Sequence, residues 1–169
     1  MKLTPINFNE ISNYKDPFTL FSDWGVTMVT DGKQVNPMTI GWGSLGILWS
    51  KPCCTVYIHE VRYSRHMFDS ADKFAVCFLN PDEYKEEMKY FGTASGKDED
   101  KTTKTKLTVL YKDGIPYFEE SDLVIFCTKM SQSKFDPTEK FPERIQKWYD
   151  KDGVHSLYYG EITEILMKK

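Results

Sequence analysis

Asn36-Pro-Met-Thr-Ile-Gly-Trp-Gly-Ser-Leu-Gly-Ile-Leu-Trp49 starts as a β-strand and then passes into a glycine-rich loop with two tryptophans. Its segment Gly41–Gly46 matches G-x-G-x-x-G. In a dinucleotide-binding fold that loop opens a helix whose N-terminus holds a pyrophosphate. Here Lys51-Pro52 arrives a few residues later, and the segment beyond reads as strand. A helix has almost no room, so the required strand–loop–helix context is missing and we set aside a doubly wound α/β fold. Two readings of the stretch stay open on residue types alone. Its glycines can let backbone amides approach a planar ligand, or they can make a tight barrel corner with two core tryptophans.

The flanking segments read mostly as short strands. Val26–Thr30 and Val35–Trp42 form a hairpin across Asp31-Gly32, with Pro37 suggesting an edge or an irregular start. Cys54–His59 is rich in β-branched and aromatic residues. Phe74–Leu79, Leu107–Tyr111, Leu123–Met130 and His155–Leu166 complete the strands, with Asp113-Gly114 as a turn. Helical signals are few. Asp16-Pro17 could start a short helix through Phe21. Ser64–Ser70 has room for one or two turns. Asn80 caps a helix with Pro81 at its first position, running to about Phe91 and stopping at Gly92. Ser95–Lys106 reads as a solvated loop. Ser131–Asp152 carries prolines and charges, with a short helix at Glu143–Tyr149. Many short strands with steady turn signals predict a closed antiparallel β-barrel in a single domain spanning residues 1–169.

Composition bounds the partners. The 169 residues carry a formal net charge of -3 and an isoelectric point near 5.7, which argues against a general nucleic-acid binder. Aromatic residues make up 15%, enough for flat side chains to line something besides the core. No apolar run is long enough to span a membrane, and the N-terminus from Met1 lacks the apolar core of a signal peptide. A cytoplasmic location is expected, with Cys53, Cys54, Cys77 and Cys127 reduced and mostly buried. No local His/Cys/Asp set has metal-ligand spacing, so no metal site is expected.

Two further runs matter. Arg62-Tyr63-Ser64-Arg65 offers cations and hydroxyls, and so does Ser95-Gly96-Lys97-Asp98-Glu99-Asp100-Lys101. With the glycines and tryptophans, they supply what a flat, phosphorylated cofactor needs. Standing alone, Arg62 and Lys101 also fit plain surface solvation.

Taken in order, N-x-M-T-I-G-W-G-x-x-G-x-x-W-x-K-P, then R-Y-S, then G-T-x-S-G-K-D-x-D-K resembles the flavin reductase-like family, closest to its flavoredoxin-type branch, over about Phe18–Leu166. The resemblance implies a Greek-key split β-barrel with a few short flanking helices. It also implies bound FMN and a homodimer with each flavin near the subunit interface. By that likeness Arg62, Tyr63 and Ser64 match the phosphate-binding segment, joined by Ser95, Gly96, Lys97 and Lys101. Met38, Thr39, Ile40, Gly41 and Trp42 match the ring-binding strand, with Asn36 and Gly43 of the same motif as further cofactor-binding candidates. Trp49 has the family position and equally suits a core.

His155 keeps the family's His-to-Gly spacing in His155-Ser-Leu-Tyr-Tyr-Gly160. The preceding residues are Asp152-Gly153-Val154 rather than the family's Gly-Asp pair, a departure that bears on any role of His155 in positioning a nicotinamide. The implied activity is an FMN-dependent oxidoreductase. It would take electrons from NADH, NADPH or a redox protein and pass them to free flavin or another acceptor, with a monooxygenase as one kind of partner. The competing readings are a non-catalytic FMN-binding electron carrier and a barrel that serves only in interactions.

Overall fold

In a computed structural model of the protein, residues 2–149 and 153–169 are described. Met1 and Asp152, on which parts of the N-terminal and His155 expectations rest, lie outside them. The elements are β1 (Leu3–Pro5), β2 (Gly25–Thr30), β3 (Val35–Ile40), β4 (Gly43–Leu48), β5 (Lys51–His59), α1 (Ser64–Ser70), β6 (Lys73–Phe78), α2 (Pro81–Thr93), β7 (Val109–Lys112), β8 (Ile115–Phe118), β9 (Leu123–Lys134), α3 (Glu143–Gln146) and β10 (His155–Lys168). Short 3₁₀ turns occupy Phe8–Asn13, Leu20–Asp23 and Lys101–Lys104.

The main sheet runs β3-β2-β6-β9-β10-β5-β4, with β1 added to β10, and all its pairs are antiparallel. Its two terminal strands, β3 and β4, are joined by Gly41 and Trp42 alone. Laid flat, six strand spacings would hold those edges roughly 29 Å apart. The three steps from Ile40 to Gly43 reach about 11 Å at most. The sheet therefore rolls up until its edges meet, and the Gly41-Trp42 link sits at the seam. The mainly β, antiparallel fold with few helices is the one the sequence predicts.

Alternation sorts the core into two layers. Phe74, Val76 and Phe78 of β6, with Leu123, Ile125 and Cys127 of β9, face the barrel interior. Their neighbours Ala75, Cys77, Val124 and Phe126 face outward, where Met88 and Phe91 of α2 and Ile115 and Phe118 of β8 cover them. Asn80 caps α2 by accepting from the Asp82 N–H at 3.0 Å. All four cysteines are free and buried. No helix among the described residues is long and apolar enough to cross a membrane.

Several local expectations are corrected. The stretch read as a glycine-rich loop is largely strand, since Gly43–Leu48 pairs with Lys51–Val56 as β4. Gly43 is needed because a Cβ there would come within 2.3 Å of the Phe21 ring. Helix formation near Asp16-Pro17 is limited to the later 3₁₀ turn at Leu20–Asp23. Gly92 lies inside α2, and the turn away falls at Ala94, which is extended. Ser131–Lys134 continues β9 because β10 supplies a ladder partner for these polar residues, and α3 ends at Gln146 rather than Tyr149.

Candidate functional site

The seam opens into a cleft of about 490 Å³. Met38, Thr39 and Ile40 of β3 and the Gly41-Trp42 link form one side, Tyr57 and His59 of β5 the floor, and His155 and Trp148 the far wall. β3 is a terminal strand with β2 as its one ladder partner among the described residues, so backbone N–H groups on its outer edge, other than at Pro37, which has none, lack a strand partner. The cleft side chains are packed ring to ring. Trp42 lies 4.7 Å from His155 and meets Trp148 edge-on at 5.4 Å, while His59 meets His155 edge-on at 4.8 Å.

His155 and His59 are direct partners across the β10–β5 ladder. Burial pushes the His155 imidazole down to about 4, with the charges of His59 and Arg62 adding to the shift. His155 is therefore neutral at neutral pH, and its buried Nδ1 has no hydrogen-bond partner among the described residues. Thr39 donates its hydroxyl to the Met88 carbonyl, which ties the middle of β3 to α2.

Past Met38, Val61 and Arg62 the cleft continues into a smaller recess of about 90 Å³, lined also by Tyr63, Ser64, Ser95, Gly96 and Lys101. Lys101 is brought there by the 3₁₀ turn that Asp100 caps, and it is only 2% exposed. Its Nζ reaches the Phe91 carbonyl at 3.5 Å, and Arg62 Nη1 donates to the Gly92 carbonyl at 2.8 Å. Two cations thus share the last turn of α2, whose carbonyl dipoles offset them only in part. Among the described residues neither forms an ion pair. Burial, helped by the Arg62 charge and opposed by Glu99, pulls the Lys101 ammonium down to about 8.

A buried ammonium beside a guanidinium, with no carboxylate in contact, is the arrangement that an anion relieves. The Asn36 amide donates to Ser64 Oγ at 2.6 Å, and its buried Oδ1 has no partner among the described residues. Asn36 is 1% exposed and lines neither the cleft nor the recess, so it holds Ser64 in place from behind the wall. Gly96 closes the recess so tightly that a Cβ there would stand 2.2 Å from Asn36 Oδ1. These residues therefore fit a ligand with a flat ring at one end and an anionic group at the other.

Not every residue singled out in the sequence reaches the groove. Gly43 starts β4 and packs on Phe21. Lys97 is exposed outside both linings. Trp49 sits with Ser50 in the two-residue turn between β4 and β5, 66% exposed, and does not line the cleft. The alternative of two core tryptophans also fails, because Trp42 is 38% exposed and faces the cleft. Conversely, Tyr57, His59, Val61 and Trp148 were missed. The i, i+2 spacing of Tyr57 and His59 on a strand was a readable same-face signal. Trp148, inside a charged run, left none. Among the described residues no group of three or more His, Cys, Asp or Glu side chains could hold a metal ion.

A family model for the flavin reductase like domain matches residues 23–169, and the chain belongs to that family. Flavoredoxin from Methanosarcina acetivorans is similar in structure, with a TM-score of 0.67 at 19% identity, over 86% of this chain and 68% of that one. An FMN-binding domain of a flavin reductases-like enzyme from Shewanella baltica OS155 gives a TM-score of 0.70 at 12% identity, over 98% and 76% of the two chains. An NADH:FAD oxidoreductase from Streptomyces globisporus C-1027, in complex with NAD and FAD fragments, gives 0.63 at 15%, over 86% and 74%. At such identities the likeness establishes the fold. No curated protein matches the chain.

Proposed function

We propose that this protein binds FMN along the groove, ring in the cleft and phosphate in the recess, and acts as an FMN-dependent oxidoreductase. Its electrons come from NADH, NADPH or a redox protein and go to free flavin or another acceptor. The observation that carries this reading is Lys101: a buried cation beside Arg62, without an ion-pair partner among the described residues, at the closed end of a groove whose open end is aromatic. Lys101 and Arg62 supply charge-assisted hydrogen bonds to the phosphate, with the Ser64 and Ser95 hydroxyls beside them. Asn36 positions the Ser64 hydroxyl from behind the recess wall. The free N–H groups of β3 address ring heteroatoms, where hydrogen bonds tune flavin electronics.

FMN, when bound, supplies a two-electron carrier that accepts a hydride. The chain's own part is placement and exclusion of water. Trp42, Tyr57 and Trp148 wall the cleft. His155, neutral at working pH, orients a neighbouring ring by packing and by its N–H rather than by donating charge. We also propose a single domain in the cytoplasm, in keeping with four buried, free thiols. A homodimer is part of the same reading. It is supported by Ile47 and Trp49, which stand 75% and 66% exposed on the terminal hairpin, and light scattering tests it.

The test of the function is the visible spectrum of purified protein supplied with FMN, before and after anaerobic NADH and then NADPH. Bleaching is expected with at least one of them. A bound flavin that neither reduces points to an electron carrier served by a redox protein. Failure to take up FMN contradicts the reading.

A further inference from the structure

Trp42 is clamped between β3 and β4, and Tyr57 belongs to β5. Trp148 reaches the same cleft from residues 136–149, a segment outside the sheet. Among the described residues, every hydrogen bond of that segment stays within it. Thr138 bonds Asp136, Ile145 and Gln146 bond Pro142, Trp148 bonds Ile145, and Tyr149 bonds Gln146. None of its charges forms an ion pair among the described residues. It is fastened to the barrel by rings instead. Tyr149 lies 5.6 Å from His155 and 6.1 Å from Phe135, and Phe135 stacks on Tyr57 at 6.3 Å. Contacts of this kind involve no hydrogen bonds, so the segment can shift without leaving a buried polar group unpaired.

The chemistry of the wall restricts what enters. Among the described residues no carboxylate lines the cleft, and Arg62 does. A cationic ligand would meet like charge at Arg62 and, among the described residues, no carboxylate partner. Ring faces and edges reward a planar ligand that stacks or meets them edge-on.

We propose that Trp148, closing against Trp42 at the mouth of the cleft, determines which second ligand enters beside the flavin: a planar aromatic or heteroaromatic ring, neutral or anionic. The inference rests on the FMN reading above. It makes Trp148 a specificity residue, set by a segment that yields to the right shape.

The experiment uses FMN-loaded protein and two anionic probes of similar size, planar benzoate and puckered cyclohexanecarboxylate, each titrated by calorimetry. Trypsin cleavage after Lys147 is followed in parallel as a readout of the segment itself. Wild type is expected to prefer benzoate roughly tenfold, and benzoate alone to slow cleavage after Lys147. Trp148→Ala brings the preference to within about twofold, and Trp148→Phe keeps most of it. Wild type that binds neither acid, or both equally, overturns the proposal. So does a Trp148→Ala variant that still discriminates. A Trp148→Ala variant that loses FMN more than it loses discrimination assigns the residue to the flavin site and also overturns it. Protein that takes no FMN at all removes the underlying reading, an outcome seen before either acid is added.

Discussion

The recess around Lys101 and the cleft under Trp148 are two ends of one groove, made on different physical terms. In the recess a single ammonium is 2% exposed, and Gly96 leaves no space for even a methyl group. In the cleft Trp42 and Trp148 stand 38% and 53% exposed, and contacts run ring to ring. A charge in a tight, dry place acts strongly and locally. Stacked rings act weakly and in sum. The recess should therefore decide whether a phosphorylated ligand stays, and the cleft what comes to meet it. Substitutions at the recess should change affinity steeply. Those in the cleft should change selectivity.

The largest effect is expected from Lys101→Met, which keeps the side chain's length and removes its charge. FMN affinity should fall roughly 10- to 100-fold, while the urea midpoint of the ligand-free protein should rise because an uncompensated buried cation is gone. Opposite signs in the two measurements are the signature of a residue kept for binding. A fall in both would make Lys101 a structural residue. Next comes Gly96→Ala, whose Cβ collides with Asn36 Oδ1. FMN affinity should drop roughly tenfold as the recess is displaced, and fluorescence titration reads it. Arg62→Ala should cost only about threefold, because the guanidinium is exposed and screened by solvent. Unchanged affinity would remove Arg62 from the phosphate site.

The two ends also differ in titration. Lys101 sits at about 8 when folded, against its ordinary 10.5. Between those values the unfolded chain holds the proton and the folded chain does not, so stability should rise with pH across that window. A bound phosphate favours the charged form, so FMN affinity should be flat from about pH 7 to about pH 8, where the phosphate is a dianion, and fall above it. His155 sits at about 4 against 6.5. Its contribution to stability is complete above 6.5 and is lost as pH falls toward 4, with no change in its charge between pH 7 and 9. Urea midpoints against pH, for wild type, Lys101→Met and His155→Gln, separate the two.

The smallest effect concerns a residue outside both ends. Trp49 and Ser50 both have positive φ, 50° and 61°, in a two-residue hairpin turn that favours Asn-Gly. Replacing Ser50 alone by Gly, which leaves Trp49 in place, should stabilise the fold by about 1 kcal/mol without altering FMN affinity. A loss of affinity would tie this turn to the flavin site.

How far the sequence led depended on the range of the interactions involved. The β2–β3 hairpin, α1 and the Asn80-Pro81 helix start depend on neighbours, and all were readable. Gly43–Leu48 was misread because glycines weaken a strand's own signal, whereas its strand character comes from β5 and its glycine from Phe21. The polar end of β9 was missed for the same reason, with β10 as the absent partner. Closure of the sheet depends on pairing between strands far apart in the chain, such as β2 with β6 and β5 with β10. Lys101 was legible as part of a motif, but nothing in a charged run announces that one lysine is buried. Tyr57 and His59 obeyed a simple alternation that points two residues to one face.

The most direct test of the groove's division of labour compares FMN with riboflavin, which has the ring and hydroxyls but no phosphate. At pH 7 wild type should bind FMN roughly 100-fold more tightly, and the advantage should shrink by pH 9 as Lys101 loses its proton. Equal affinities at both pH values would contradict the account, because the cation that organises the recess would then have no phosphate to meet.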